Sequence, residues 1–166
     1  MTITKRAVVV ICDGLRADMI TPDWTPNLWR LKARFRSFAN HRSVFPSTTR
    51  TNAASLATGC YPARHGLEGN AMALEEGGRF EVLSVGPPGF RDRLEKARGR
   101  TLTMPTLAER VTGAGGRAVV YSNVSPGAAM FHDPDGHGFI YHRSFSQGPG
   151  RATLDPLGIE HTAAGD

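Results

Sequence analysis

The sequence is poor in cysteine and has no long apolar run, and both shortages exclude classes of protein. Cys12 and Cys60 are too few for a disulfide framework in 166 residues, so we expect reduced, buried thiols. No stretch approaches the roughly 20 apolar residues that cross a bilayer. The apolar run Ala7 to Cys12 is too short for the core of a signal peptide, and no small-residue cleavage site follows it. We therefore expect a cytoplasmic protein without a membrane partner.

A nucleic-acid-binding motif is also missing, although the net charge is +5. Basic side chains cluster on one predicted helix at Arg30, Lys32, Arg34 and Arg36. Such a cluster can attract polyanions, and a basic α/β nucleic-acid-binding domain stays open as an alternative. A solvated helix face is the preferred interpretation, because no paired Cys and His ligands and no aromatic platform accompany the charge.

The apolar pattern predicts an α/β fold. Ala7 to Cys12 is a continuous β-branched run, typical of a strand buried on both faces of a parallel sheet. Thr25 and Pro26 suit the start of a helix, and apolar residues then recur at helical spacing at Leu28, Leu31 and Phe35.

Later segments continue the alternation of strands and helices. We expect a strand or extended segment from Phe38 to Phe45 and a strand at 81–85. We expect helices at 52–58 (ended by Gly59), 92–98 and 104–111, and a buried strand at 117–122. This order predicts a mainly parallel sheet sandwiched by helices. No closing element precedes Asp166, so we expect an incomplete sheet, with residues 1–166 forming the N-terminal part of a single domain.

Two side chains in this pattern can carry chemistry. Asp13 follows the first predicted strand, and sites in open α/β sheets form outside the carboxyl ends of strands. Its carboxylate suits a divalent cation, but many Asp-Gly corners are only turns. Thr49 precedes a helix whose free N–H groups and dipole favour an anion such as phosphate. The alternative is that Thr48, Thr49 and Thr51 simply cap that helix.

Four motifs in a fixed order give these residues a family context. The chain contains VVVICDG, TPNLWRL, FPSTTRTN and TGCYPARHG, all between about residues 7 and 70. This series resembles the N-terminal half of the phosphodiesterase/nucleotide pyrophosphatases, a branch of the alkaline phosphatase superfamily. The resemblance is looser over residues 101 to 142. It implies an alkaline-phosphatase-like fold and hydrolysis of phosphodiester or pyrophosphate bonds.

The resemblance also implies roles for individual residues. Asp13 falls on a metal ligand of the family, Thr49 on the nucleophile that also touches metal, and Asn52 on the asparagine that hydrogen-bonds the phosphoryl oxygens. The family uses two divalent metal ions, usually zinc, and acts on small phosphoester or nucleotide substrates. The remaining ligands belong to a second half that we do not find here. The sequence departs from the family at Thr51, where proline is usual, and at Ala53, where histidine often follows.

Two further strings resemble motifs but lie in the wrong context. Cys60 to Arg64 fits the C-x-P-x-R of sulfatases, yet the sulfatase spacing counts back from Gly59 to Thr49, so we interpret the match as coincidental. Asp133 to His137 has the spacing of a later metal motif of the family. It lacks the preceding glutamate and strand, and we expect a surface loop there.

Other functions remain open at this point. The chain can be a catalytically incomplete fragment that binds an anion or a partner. Within the same superfamily, sulfatases, phosphonate hydrolases and phosphoglycerate mutases are alternatives. The sequence does not fix the leaving group or the oligomer.

Overall fold

A computed structural model describes residues 5–142 and 145–147. The chain divides into two compact units. The first, Thr4 to Ser43, is called the N-terminal unit, and the second, from Val44 onward, is called the C-terminal unit.

The N-terminal unit holds one short 3-10 turn, Ala17–Met19, and one α-helix, α1, Pro26–Arg34. The predicted helix start is confirmed, because Thr25 occupies the N-cap and Pro26 the first helical position. The helix ends at Arg34, so Arg36 of the predicted basic cluster lies beyond it.

The strand predicted at residues 7–12 is wrong, and the segment 38–45, predicted as a strand or an extended segment, does not form a strand. Val8 to Ile11 are mostly exposed, with Val8 at 87%. A strand requires a hydrogen-bonded neighbour, and no described strand pairs with either segment. Residues 7–12 therefore have the composition of a buried strand, but no described strand pairs with them.

The C-terminal unit carries the remaining elements. In chain order they are α2 Thr49–Thr58, α3 Pro62–His65, β1 Ala71–Glu76, β2 Arg79–Ser84, α4 Pro88–Arg98, α5 Leu107–Gly113, β3 Val119–Ser122, α6 Pro126–Met130, β4 Phe139–His142 and β5 Phe145–Gln147. The helices predicted at 52–58, 92–98 and 104–111 and the strands at 81–85 and 117–122 are confirmed, with shifted ends. The sequence patterns missed α3, β1, α6, β4 and β5.

Two small sheets replace the predicted parallel sheet. β1 and β2 form an antiparallel hairpin around Gly77 and Gly78, with Leu74 opposite Glu81. In the second sheet β4 lies between β3, which runs parallel to it, and β5, which runs antiparallel. The architecture is a mixture of helices and small sheets, and only one of the described strand pairs is parallel. The helices and sheets are consistent with an α/β fold, and a mainly parallel sheet is not confirmed in the described part of the chain.

β3 also differs from the buried strand that its apolar residues predicted. Val119 is 52% exposed and Tyr121 is 70% exposed. Within the described part of the chain β3 pairs only with β4, so one of its edges is open. An edge strand buries less side-chain surface than a central one, and Ile140 of central β4 is fully buried.

One apolar core holds the C-terminal unit together and positions α2. Its members come from helices, the hairpin and connecting loops: Ala53, Ala54, Leu67, Met72, Leu74, Val85, Phe90, Leu94, Leu102 and Phe131. The small side chains of Ala53 and Ala54 let α2 pack closely against this cluster. Among the described residues, no helix has the length and apolar character needed to cross a bilayer.

Candidate active site

The candidate nucleophile Thr49 is the first residue of α2. Its side chain is exposed, whereas Thr51 in the same turn is fully buried. The N-cap residue Thr48 makes no side-chain hydrogen bond to the backbone of the first turn. Its hydroxyl instead donates to Oγ1 of Thr51 at 2.8 Å. The Thr48 hydroxyl therefore does not accept from the backbone N–H groups of the first turn. A helix start of this kind favours an anion, which can accept hydrogen bonds from those groups.

Asn52 fixes the loop that leads into this helix. Its Oδ1 accepts a hydrogen bond from the backbone N–H of Val44 at 3.1 Å. Its Nδ2 donates to the backbone carbonyl of Thr48 at 2.9 Å. Asn52 thus holds the chain immediately before Thr49 in place. The bond to Thr48 uses one of the two hydrogens on Nδ2. The second hydrogen can donate to a phosphoryl oxygen, and that expected bond stays a prediction.

The side chain of Arg50 points into the C-terminal unit. Its guanidinium donates to Oδ1 of Asn70 at 3.2 Å. It also packs against two glycines, because a Cβ added to Gly86 or Gly127 would lie 2.8 or 3.2 Å from its nitrogens. The side chain of Arg50 therefore anchors the first turn of α2 to the rest of the unit.

The departures from the family motif have structural explanations. Thr51, where proline is usual, is fully buried and accepts the hydrogen bond from Thr48. Ala53, where histidine often follows, is 6% exposed and belongs to the core. A histidine at that position would need space that the core fills.

A buried histidine supports the far end of α2. His65 of α3 is fully buried, with Nε2 2.8 Å from Oγ of Ser55. The N–H of Leu67 donates to its Nδ1 at 3.2 Å. Because Nδ1 accepts, the proton of the neutral ring lies on Nε2 and is donated to Ser55. Burial lowers the pKa of His65, although a backbone hydrogen bond acts in the opposite direction.

Cys60 lies away from the start of α2, as the spacing argument predicted. Gly59, at φ 67°, ends the helix in the left-handed conformation, and Cys60 follows it. Ten residues of helix span about 15 Å, which separates Cys60 from Thr49. The expectation of buried thiols is wrong, because Cys12 is exposed and Cys60 is partly exposed.

Asp13 belongs to the N-terminal unit, whereas Thr49 and Asn52 belong to the C-terminal unit. Asp13 is exposed and lies in a turn, closed by a hydrogen bond from Leu15 N–H to Cys12 O at 3.2 Å. Gly14, at φ 76°, supplies the left-handed residue of this turn. Asp13 does not follow a strand here, and its role as a metal ligand stays a prediction.

The loop from Asp133 to His137 is partly what the sequence predicted. Asp135 and His137 are exposed, as expected of a surface loop, but Asp133 is only 1% exposed. Asp133 accepts hydrogen bonds from the N–H groups of His137 at 3.0 Å and Gly138 at 2.7 Å. Its carboxylate therefore shapes the loop.

The structure adds a residue that the motifs missed. Ligand atoms of Glu109, Asp135 and His137 all lie within 4.8 Å of one another, so this group can hold a metal ion. Glu109 stands three residues after Thr106, a pattern typical of a helix start, but nothing in that pattern points to the loop at His137. Only the fold brings these side chains together.

Comparisons with known proteins agree with the motifs. Residues 7–138 match the family of type I phosphodiesterases/nucleotide pyrophosphatases. An uncharacterized pyrophosphatase/phosphodiesterase of Schizosaccharomyces pombe is 38% identical over 63 residues. That match covers 38% of this chain and 13% of the yeast protein's length. No solved structure matches significantly. Because the family match spans most of the chain and includes all four motifs, the chain belongs to the type I phosphodiesterase/nucleotide pyrophosphatase family.

Proposed function

We propose that the protein hydrolyses phosphodiester or pyrophosphate bonds of small phosphoester or nucleotide substrates, with Thr49 as the nucleophile. The observation that carries this proposal is the exposed Thr49 at the first position of a ten-residue helix. The N-cap side chain of that helix bonds to Thr51 and not to the first-turn N–H groups. Family membership supplies the reaction class.

The two steps of the reaction follow from these groups. Oγ1 of Thr49 gives up its proton and forms a bond to phosphorus as the bond to the leaving-group oxygen breaks, and the departing oxygen takes up a proton. The product is a covalent threonyl phosphoester. The oxygen of a water molecule then bonds to phosphorus as the phosphorus–Oγ1 bond breaks, and a proton from that water restores the hydroxyl. The N–H of Arg50 and the amide of Asn52 would donate hydrogen bonds to the phosphoryl oxygens, where negative charge accumulates.

A threonine hydroxyl is a weak nucleophile at neutral pH. Two divalent ions, zinc first, would lower its pKa and neutralise phosphoryl charge when bound. Asp13 and Thr49 fit as ligands by chemistry, since both are exposed oxygen donors. One ion takes about four ligands, so we propose that the remaining ligands lie outside the motifs of this chain, in a longer catalytic domain.

The test is hydrolysis of bis-p-nitrophenyl phosphate by the full-length protein with zinc or manganese, beside a chelated control. Thr49→Ala should reduce turnover by roughly 10³-fold or more, because the covalent step is lost. Thr49→Ser should keep part of the activity, since it retains a hydroxyl. Thr58→Ala, at the other end of α2, is the matched control and should stay active.

Wild-type turnover in Thr49→Ala would contradict the nucleophile. Metal-independent turnover would contradict the metal-assisted mechanism. Tight binding of inorganic phosphate without any turnover would instead favour a domain that only binds anions.

A further inference from the structure

Three side chains with metal-ligating atoms meet in the C-terminal unit outside the four sequence motifs. Glu109 comes from the first turn of α5, and Asp135 and His137 come from the loop before β4. One ligand atom of each lies within 4.8 Å of the other two. The ligands of one ion bound at about 2.1 Å lie at most about 4.2 Å apart. Small rotations of the exposed Asp135 and His137 side chains would therefore close the site.

The backbone that carries His137 is held from both sides. The buried carboxylate of Asp133 accepts from the N–H groups of His137 and Gly138. The hydroxyl of Thr112, on α5, donates to the carbonyl of His137 at 3.1 Å. The second contact ties the loop to the same helix that carries Glu109. The backbone of the loop that carries His137 is therefore fixed before any ion binds, which reduces the entropic cost of binding.

Glu109 is fixed in a similar way. The hydroxyl of Thr106, a residue that is 1% exposed, accepts a hydrogen bond from the N–H of Glu109 at 3.1 Å. This cap sets the first turn of α5 and the direction in which the Glu109 side chain leaves it.

A cation already lies against the two carboxylates. A guanidinium nitrogen of Arg100 is 2.9 Å from Glu109 Oε2 and 3.8 Å from Asp135 Oδ2. The side chains of Arg100 and Glu109 are both about one-third exposed, at 32% and 31%. Solvent partly screens an ion pair with this exposure. A divalent ion would therefore compete with the guanidinium for the two carboxylates.

The donor set indicates which ion would bind. Two carboxylates and one imidazole suit zinc, cobalt or manganese, whereas calcium and magnesium prefer oxygen alone. Three protein ligands leave a coordination position for water. Asp135 also borders an open cleft of about 610 Å³ lined by Arg91 and Arg100, so solvent reaches this side of the cluster. We propose that Glu109, Asp135 and His137 form a binding site for one divalent transition-metal ion, with zinc as the preferred occupant.

The test is a titration with Co²⁺, a spectroscopic substitute for zinc, followed by its visible absorption. It is done on full-length protein carrying Asp13→Asn and Thr49→Ala, two substitutions that weaken metal binding at the proposed catalytic site. We expect Co²⁺ still to bind at this site with an imidazole ligand. His137→Ala and Asp135→Asn should each raise the Kd by about tenfold or more. His41→Ala, an exposed histidine of the N-terminal unit, is the matched control and should bind normally.

Arg100→Ala sharpens the test. It removes the guanidinium that competes for the two carboxylates, so it should lower the Kd for Co²⁺. Circular dichroism checks that each variant is folded, and Asp135→Asn keeps the test decisive if His137→Ala does not fold. A Kd that is unchanged in both His137→Ala and Asp135→Asn would overturn the proposal. Loss of Co²⁺ absorption in these variants, with normal phosphodiester hydrolysis when the same substitutions are made in protein that retains Asp13 and Thr49, would separate this site from the proposed activity. Unchanged Co²⁺ absorption with lost hydrolysis would reject this site alone.

Discussion

Both units of the chain contain large apolar side chains, but these side chains are exposed in one unit and buried in the other. None of the described residues 5–43 is buried. Trp24, Phe35 and Phe38 are between 65% and 73% exposed in the N-terminal unit. In the C-terminal unit Leu67, Leu94 and Leu102 are fully buried in one cluster. Burial therefore depends on the packing partners that the rest of the chain supplies, and not on composition alone.

Two apolar segments show this difference most directly. The run from Val8 to Ile11 is the more β-branched, yet it forms no strand and is exposed. The segment Phe139–His142 is less strand-like in composition, yet it forms β4 between two neighbours and buries Ile140 completely. A strand is stabilised by its ladder and by packing on its faces, so pairing on both edges outweighs local propensity.

The largest expected effect contrasts two leucines of the two units. Leu94→Ala should lower the free energy of unfolding by about 2–5 kcal/mol, because a fully buried side chain leaves a cavity. Leu31→Ala should cost about 1 kcal/mol or less, since Leu31 of α1 is 49% exposed. Urea unfolding followed by circular dichroism measures both. Equal losses would mean that the N-terminal unit is packed as tightly as the core, and would break the comparison.

A pair of glycines tests the packing inside the C-terminal unit. Each is the second residue of a helix, Gly127 in α6 and Gly89 in α4. A Cβ at Gly127 would lie 2.8 Å from the carbonyl oxygen of Gly86, whereas a Cβ at Gly89 meets nothing within 4 Å. Gly127→Ala should therefore destabilise by about 1–3 kcal/mol, and Gly89→Ala should be neutral or stabilise by up to about 1 kcal/mol.

Thermal unfolding of both glycine variants measures this difference. A melting temperature that is the same for the two would show that the contact between α6 and the loop at Gly86 can relax.

Local signals in the sequence predicted the helices well. Thr25 with Pro26, and Gly59 after α2, act through the backbone of the residues beside them. Such capping depends on few partners, so one sequence is enough to find it. The position of Thr49 at a helix start followed from the same kind of signal together with the motif order.

Contacts between distant segments were beyond the sequence patterns. The strand prediction at residues 7–12 failed because pairing depends on another segment. The hairpin strand β1 was missed because Ala, Met, Leu and Glu all favour a helix over a strand, although Met72 and Leu74 alternate and are buried. The meeting of Glu109 with His137 joins residues 28 apart by number, and no periodicity reports such a contact.

The smallest expected effect is a pH dependence that separates a buried histidine from an exposed one. Burial lowers the pKa of His65 below the value of about 6.5 that is ordinary for histidine. Below about pH 6.5 His65 is protonated in the unfolded chain but still neutral in the folded protein. The free energy of unfolding should therefore fall as the pH drops from about 6.5 towards the lowered pKa of folded His65. His65→Gln should reduce this slope, although it also lowers stability at neutral pH through the lost bond to Ser55. His41→Gln, in the N-terminal unit, replaces an exposed histidine and is the matched control. His132, whose pKa burial also lowers, should keep part of the slope in both variants. Urea unfolding at several pH values between 5 and 8 measures how the free energy of unfolding changes with pH. The same pH dependence in wild type and His65→Gln would show that His65 becomes protonated without loss of its packing.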